Sequence, residues 1–252
     1  MLYFDVFNTA PLLYFNQIAT TVGRLPEELA RRVMRSADEE ERARRLGGYI
    51  LLERMVKRHT DDFKTAVEGI VKPEFGMMFD SRGILPAVRY DSYGKPYFEG
   101  HENASFNISH SHHLAACALQ TAPIGTVATQ VGIDVQMVVC DTERAERVAA
   151  RYFSEAEKDL LCHSAGSDLG YCRLFTRIWT RKEALLKYWG VGLHRIEQAD
   201  TAKIAEHGCK FIESDADLTV DLPNGTHPQE AYCLTVCADA NADVAPIEEQ
   251  KK

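Results

Sequence analysis

The chain has 252 residues, 45% hydrophobic and 26% charged, with a formal net charge of −8. That length accommodates one large domain or two smaller ones with a real core, and the composition is ordinary for a soluble globular protein. The acidic balance argues against nonspecific nucleic-acid binding, which needs a basic footprint, and against an anionic membrane surface as main partner. Seven cysteines, odd in number and without a C-x2-C pair, point to free thiols in a reducing cytosol. Met1-Leu2-Tyr3-Phe4-Asp5 lacks a basic leader, and no apolar run approaches membrane-spanning length. A cytoplasmic protein is expected.

In chain order, the first third reads as helical. Ser36-Ala37-Asp38-Glu39 has a capping-box pattern, and the run to about Arg58 carries Leu46, Tyr49, Ile50 and Met55 at helical spacing. Thr60-Asp61-Asp62 caps a further short helix. From Gly76 the texture changes to short strands and turns: Met77-Met78-Phe79, Val88-Arg89-Tyr90, then Tyr93-Gly94-Lys95-Pro96. Phe106–Ser109 reads as a strand end, and Leu114–Leu119 and Thr129–Val135 as buried strands. Helices follow over Thr142–Tyr152, from Ser154, and over about Tyr171–Tyr188. Strands return at Lys210–Ile212, Leu218–Val220 and Ala231–Val236, the last within the apolar alternating run that holds Cys233 and Cys237. Helices followed by strands occur twice, with a seam near Pro123-Ile124-Gly125, so the expected class is α+β with two similar α/β halves. The boundaries are 1–125, 126–240, and a frayed acidic tail over 241–252.

Five segments hold chemistry-bearing residues. Gly94-Lys95-Pro96 fixes a lysine on a stiff turn. Phe106-Asn107-Ile108-Ser109-His110-Ser111-His112-His113 runs from apolar strand residues into hydroxyls and imidazoles, suited to phosphate or simply a His-rich turn. Zinc is disfavoured there, because adjacent histidines on a strand point apart and no second ligand pair is present. In Val131-Gly132-Ile133-Asp134-Val135-Gln136, an acid inside a buried strand must be paired, hydrogen-bonded or metal-bound. Gln136 lies on the same strand face, so the two offer oxygen ligands suited to magnesium. Ser154-x-x-Glu157 has the form of a capping box. In Trp179-Thr180-Arg181-Lys182-Glu183-Ala184-Leu185-Leu186-Lys187, Glu183 and Lys187 share a helix face with Lys182 beside them; alone, that is most often a surface salt bridge.

The order of these segments (GKP, FNISHS, GIDVQ, FSxxE, WxxKEAxxK) resembles the 4′-phosphopantetheinyl transferase superfamily. The length is similar to its long, surfactin-activator type. The resemblance implies a fold of two similar halves packed as a pseudo-dimer. The implied reaction transfers the 4′-phosphopantetheine arm of coenzyme A to a serine of an apo-carrier protein, releasing 3′,5′-ADP with magnesium. By motif position, Asp134 and Glu183 are the metal-binding carboxylates. Gln136 stands where many long-type members have Glu, which leaves the third ligand to its amide oxygen or to water. Lys187 and its helper Lys182, with Lys95, Ser109 and His110, match coenzyme A phosphate contacts; Arg45 is a looser candidate. Glu157 is structural or metal-associated, and Glu183 or a metal-bound water takes the serine proton. Arg144, Arg147 and Arg151 share a helix face that would dock the carrier. Fatty-acid, polyketide and peptide-synthetase carriers all remain open. A monomer is expected. The alternative is a degenerate coenzyme A-binding protein whose metal site is incomplete at Gln136.

Overall fold

The computed structural model describes residues 1–14, 17–59, 85–123, 125–164 and 166–245. Strand β1 (Leu2–Asn8) opens the chain, followed by short helices α1 (Ala10–Tyr14), α2 (Ile18–Val22) and α3 (Glu27–Met34), then the long α4 (Glu39–Arg58). Helix α4 starts at Asp38, not at Ser36. The Asp38 side chain accepts from the Glu40 N–H at 3.0 Å, while Ser36 accepts from the Asp38 N–H. Thr60–Asp62, Met77–Phe79 and Ile124 lie outside the described residues.

The hairpin β2 (Val88–Tyr90) and β3 (Pro96–Phe98) brackets the Gly94-Lys95 turn, with Gly94 at a positive φ of 85°. Strands β4 (Ala104–Ser111) and β5 (Leu114–Thr121) form the next hairpin, and β1 pairs with β5 to give the order β1-β5-β4. Strand β6 (Val131–Met137) begins a second sheet. Helices α5 (Thr142–Tyr152), α6 (Glu155–Ser164) and α7 (Asp168–Trp189) follow, then β7 (Cys209–Thr219) and β8 (Gln229–Asp239), in the order β6-β8-β7. Every pairing is antiparallel. In both sheets the third strand in the chain lies between the first and the second. The two strands expected at 210–212 and 218–220 are one continuous β7, and the N-terminal strand was not expected at all.

Strand β5 is buried along its whole length because it is covered on both faces. Cys117 and Leu119 pack with Leu46, Leu52 and Met55 of α4. Leu114, Ala116 and Ala118 alternate to the other face, against Ile133 and Val135 of β6 and Leu234 and Val236 of β8. Period-two alternation thus supplies two apolar layers from one strand. The chain end is also anchored: the Leu2 N–H donates to Asp243 O at 2.7 Å, the Ala245 N–H donates to Leu2 O at 2.9 Å, and Val244 bridges Leu2 in parallel. The frayed tail expected from residue 241 is therefore ordered through Ala245, which is buried.

Candidate active site at the β6–α7 crossing

Helix α7 is capped by Ser167, whose side chain accepts from the Gly170 N–H, and ends at Gly190 in the left-handed conformation at φ 71°. It crosses β6 at Gly132. A Cβ there would lie 2.1 Å from the Ala184 carbonyl oxygen and 2.4 Å from the Tyr188 nitrogen. Only glycine permits this backbone-to-backbone approach. The crossing sets the turn of α7 carrying Glu183 and Lys187 against Asp134, two residues along β6.

Asp134 is fully buried. Its Oδ1 accepts from Lys187 Nζ at 2.7 Å and from the Ser109 hydroxyl at 2.7 Å, and Lys187 also donates to Ser109 Oγ at 2.9 Å. Its other oxygen, Oδ2, is buried and has no hydrogen-bond partner. The Glu183 carboxyl sits beside it, pushed up to about 7 by burial first and by the neighbouring Asp134 charge second. Lys187 pairs with Asp134, not with Glu183. Gln136, on the same face of β6, accepts from the Ser111 hydroxyl through Oε1 at 3.4 Å. Two crowded carboxyls, with the Gln136 carboxamide two residues along the same strand face, are the oxygen donors here that suit a hard divalent cation.

Lys182 does not join this group. One residue along a helix turns a side chain by about 100°, and Lys182 points to the opposite side. Its amine, 1% exposed, pairs with Glu157 Oε2 at 2.7 Å and donates to the Ala199 carbonyl at 2.7 Å. Glu157 is equally enclosed. Oε2 accepts from the Ser154 N–H, and Oε1 from the Thr201 N–H and hydroxyl at 2.8 and 2.7 Å. The Glu157 N–H in turn donates to Ser154 Oγ at 3.4 Å, completing the capping box. These residues tie α6, α7 and the Ala199–Thr201 turn together. The Lys182 amine is thus enclosed, and both Glu157 oxygens are occupied by donors.

Two depressions adjoin the site. One, of about 380 Å³, is lined by Arg32, Arg35, Glu41, Arg45, Tyr90 and His110 among others. Arg45 donates to Glu41 Oε1 at 2.7 Å and to the Arg32 carbonyl at 3.1 Å, and Arg32 stacks on the Tyr90 ring. Burial holds the His110 imidazole below its usual range. Gly94 and Pro96 face this depression, but Lys95 does not deliver its amine there. Lys95 Nζ donates to the Tyr188 carbonyl at 3.0 Å, and burial lowers its pKa to about 8. The GKP lysine thus caps the end of α7. Arg32 and Arg35 were missed by sequence reasoning, although the arginine-rich run from Arg31 to Arg45 was the available signal.

The second depression, about 360 Å³, is lined by Gln136, Met137, Val148, Phe175, Trp179 and Arg144, among others. Of the expected arginine face, Arg144 borders this groove. Arg147 pairs with Glu143 at 3.7 Å and Arg151 lies over the Tyr152 ring. The histidines also diverge: His110 lies 3.8 Å from Glu41, whereas His113 bonds Glu230 at 2.8 Å and Tyr14 at 3.0 Å. All seven cysteines are free thiols. Among the described residues, no helix is long and apolar enough to cross a membrane.

A fold of helices on small antiparallel sheets, with facing carboxyls and a lysine at one strand–helix crossing, is compatible with the phosphopantetheinyl transferases. Residues 130–237 match the model of the 4′-phosphopantetheinyl transferase superfamily. A 4′-phosphopantetheinyl transferase of Bacillus subtilis is 30% identical over 63% of this chain and 65% of its own length. The 4′-phosphopantetheinyl transferase HetI of Nostoc is 32% identical over 63% and 64%, and Sfp of Bacillus subtilis 29% over 58% and 60%. The chain thus spans just under two thirds of these relatives.

Proposed function

We propose that the protein transfers the 4′-phosphopantetheine arm of coenzyme A to a serine hydroxyl of an apo-carrier protein, releasing 3′,5′-ADP. The observation that carries this reading is the buried, unpartnered Asp134 Oδ2 beside the Glu183 carboxyl and Lys187. Such an arrangement is unfavourable unless a proton shared with Glu183 or a bound cation completes it. Asp134, Glu183 and the Gln136 amide oxygen would hold magnesium, which when bound supplies charge neutralisation for the pyrophosphate.

The chain's own groups provide the rest. Lys187 and Ser109 offer donors to a phosphate oxygen next to Asp134. Arg32, Arg35, Arg45 and His110 line a depression suited to the other phosphates and the nucleotide end of coenzyme A. Glu183, or a water held beside it, takes the proton of the incoming serine. The serine oxygen attacks the phosphorus bearing the pantetheine arm, and the bond to the bridging oxygen breaks, with 3′,5′-ADP leaving. The groove beside Gln136, with Arg144 on its rim, receives the carrier. The shared strand order of the two sheets, each with a long helix after its first strand, supports a pseudo-dimer divided near residue 125.

The test is the mass of an apo-carrier panel incubated with the protein, coenzyme A and magnesium. Transfer adds about 340 Da, the mass of the arm. Coenzyme A binding with no mass gain on any acyl, polyketide or peptidyl carrier would reject transfer in favour of the degenerate binding protein.

A further inference from the structure

Strands β4 and β6 belong to different sheets, yet they lie side by side, and the rising register of the bonds between them shows that they run in the same direction. Among the described residues no backbone hydrogen bond joins them. The β6 N–H groups that face β4 are taken by side chains instead. Ile133 donates to Asn107 Oδ1 at 3.1 Å, Val135 to Ser109 Oγ at 3.4 Å, and Met137 to Ser111 Oγ at 3.0 Å. Each step of two residues on β4 matches a step of two on β6, so three rungs form a ladder made from side chains. Past the ladder, the adjoining turn bonds the next strand, β8, with the His113 N–H donating to the Tyr232 hydroxyl at 3.1 Å. Ile133 and Val135 are fully buried, so an N–H left open at either would be unfavourable.

Asp134 lies between the first two rungs, and Ser109 serves both as a rung and as a donor to its carboxylate. A slip of β6 along β4 would separate Asp134 from Ser109. Backbone pairing would resist such a slip unaided; side-chain rungs do so only while the acceptors are present. We propose that Asn107 and Ser111 are positioning residues, which hold β6 in register on β4 and thereby keep Asp134 at Ser109 and Lys187. The proposal rests on the transferase reading for its consequence on rate, but not for the ladder itself.

The test compares S111A, which removes one acceptor at a half-exposed position, with S111T, which retains a hydroxyl. Amide hydrogen exchange on the metal-free protein reads the rungs directly. In S111A the Met137 amide should exchange about tenfold faster, as for one lost hydrogen bond, and the Val135 amide should accelerate with it. In carrier modification, kcat should fall about tenfold with the coenzyme A KM within about twofold, and S111T should restore both readouts. If Val135 keeps its wild-type exchange rate, Ser111 acts only on its own neighbours, such as Gln136, and the proposal is overturned. It is equally overturned if both amides accelerate and kcat is unchanged. Should the wild-type protein modify no carrier, the functional reading fails, while the exchange of Val135 still decides the ladder.

Discussion

Helix α7 carries two lysine–carboxylate pairs five residues apart, and they are built in opposite ways. In the Lys182–Glu157 pair, both Glu157 oxygens are filled by the lysine, two backbone N–H groups and the Thr201 hydroxyl, and nothing is left to bind. In the Lys187–Asp134 pair, one carboxylate oxygen is orphaned, a second carboxyl is pressed against it, and Lys187 remains 27% exposed. A buried ion pair is tolerated when every lone pair is satisfied. The first pair is therefore structural, and the second keeps an unmet demand that a ligand can fill.

Breaking the closed pair should have the largest effect on stability. K182M leaves Glu157 as an uncompensated buried charge and should cost about 3 kcal/mol, softened by the three donors that remain to Glu157. Urea unfolding checks this; a cost below about 1 kcal/mol would remove the distinction between the pairs. G132A should be comparably disruptive, since the new methyl meets the α7 backbone at 2.1 Å. Its melting temperature should fall with loss of activity.

Breaking the open pair should affect reaction more than fold. D134A should lower carrier modification at least about a hundredfold while thermal unfolding stays cooperative. The pH dependence sharpens the contrast further. Glu183 is held at about 7 when folded, against an ordinary 4.5. The folded chain then binds the proton more tightly than the unfolded chain, so its relative stability is greatest below pH 4.5. It declines as pH rises and levels off above about 7. Measured against E183Q, which does not titrate, metal-free wild-type protein should lose about 2 to 3 kcal/mol across that window. A flat difference would mean that Glu183 is not crowded by Asp134. Smallest of all, Q136E should lower the magnesium concentration for half-maximal rate severalfold by adding ligand charge.

Much of the site was legible because its residues lie on regular elements. Asp134 in a buried strand and Glu183 and Lys187 four apart on a helix follow from periodicity once two motifs are read together. The turn of Lys182 away from Glu183 is hidden in sequence because adjacency in sequence is not adjacency on a helix, and its partner Glu157 lies on another element. The Lys95 contact with the Tyr188 carbonyl is likewise hidden, because a turn lysine's reach depends on the end of α7, far away in the chain. In FNISHS, Asn107, Ser109 and Ser111 alternate with period two and also fill the open edge of β6, a role that needs the neighbouring strand to be seen. The β1 strand and the anchoring of Val244 were hidden for the same reason: their partners are more than a hundred residues away. The shared strand order of the two sheets leaves no trace in sequence similarity, since layers need only the right apolar alternation.

The most direct test of the central claim is a calorimetric titration of magnesium into wild-type protein and D134A, with K182M as the control. We expect one cation per wild-type chain, none in D134A, and binding retained in K182M wherever that variant remains folded. Equal magnesium binding by wild-type protein and D134A would contradict the assignment of the open pair as the reaction centre.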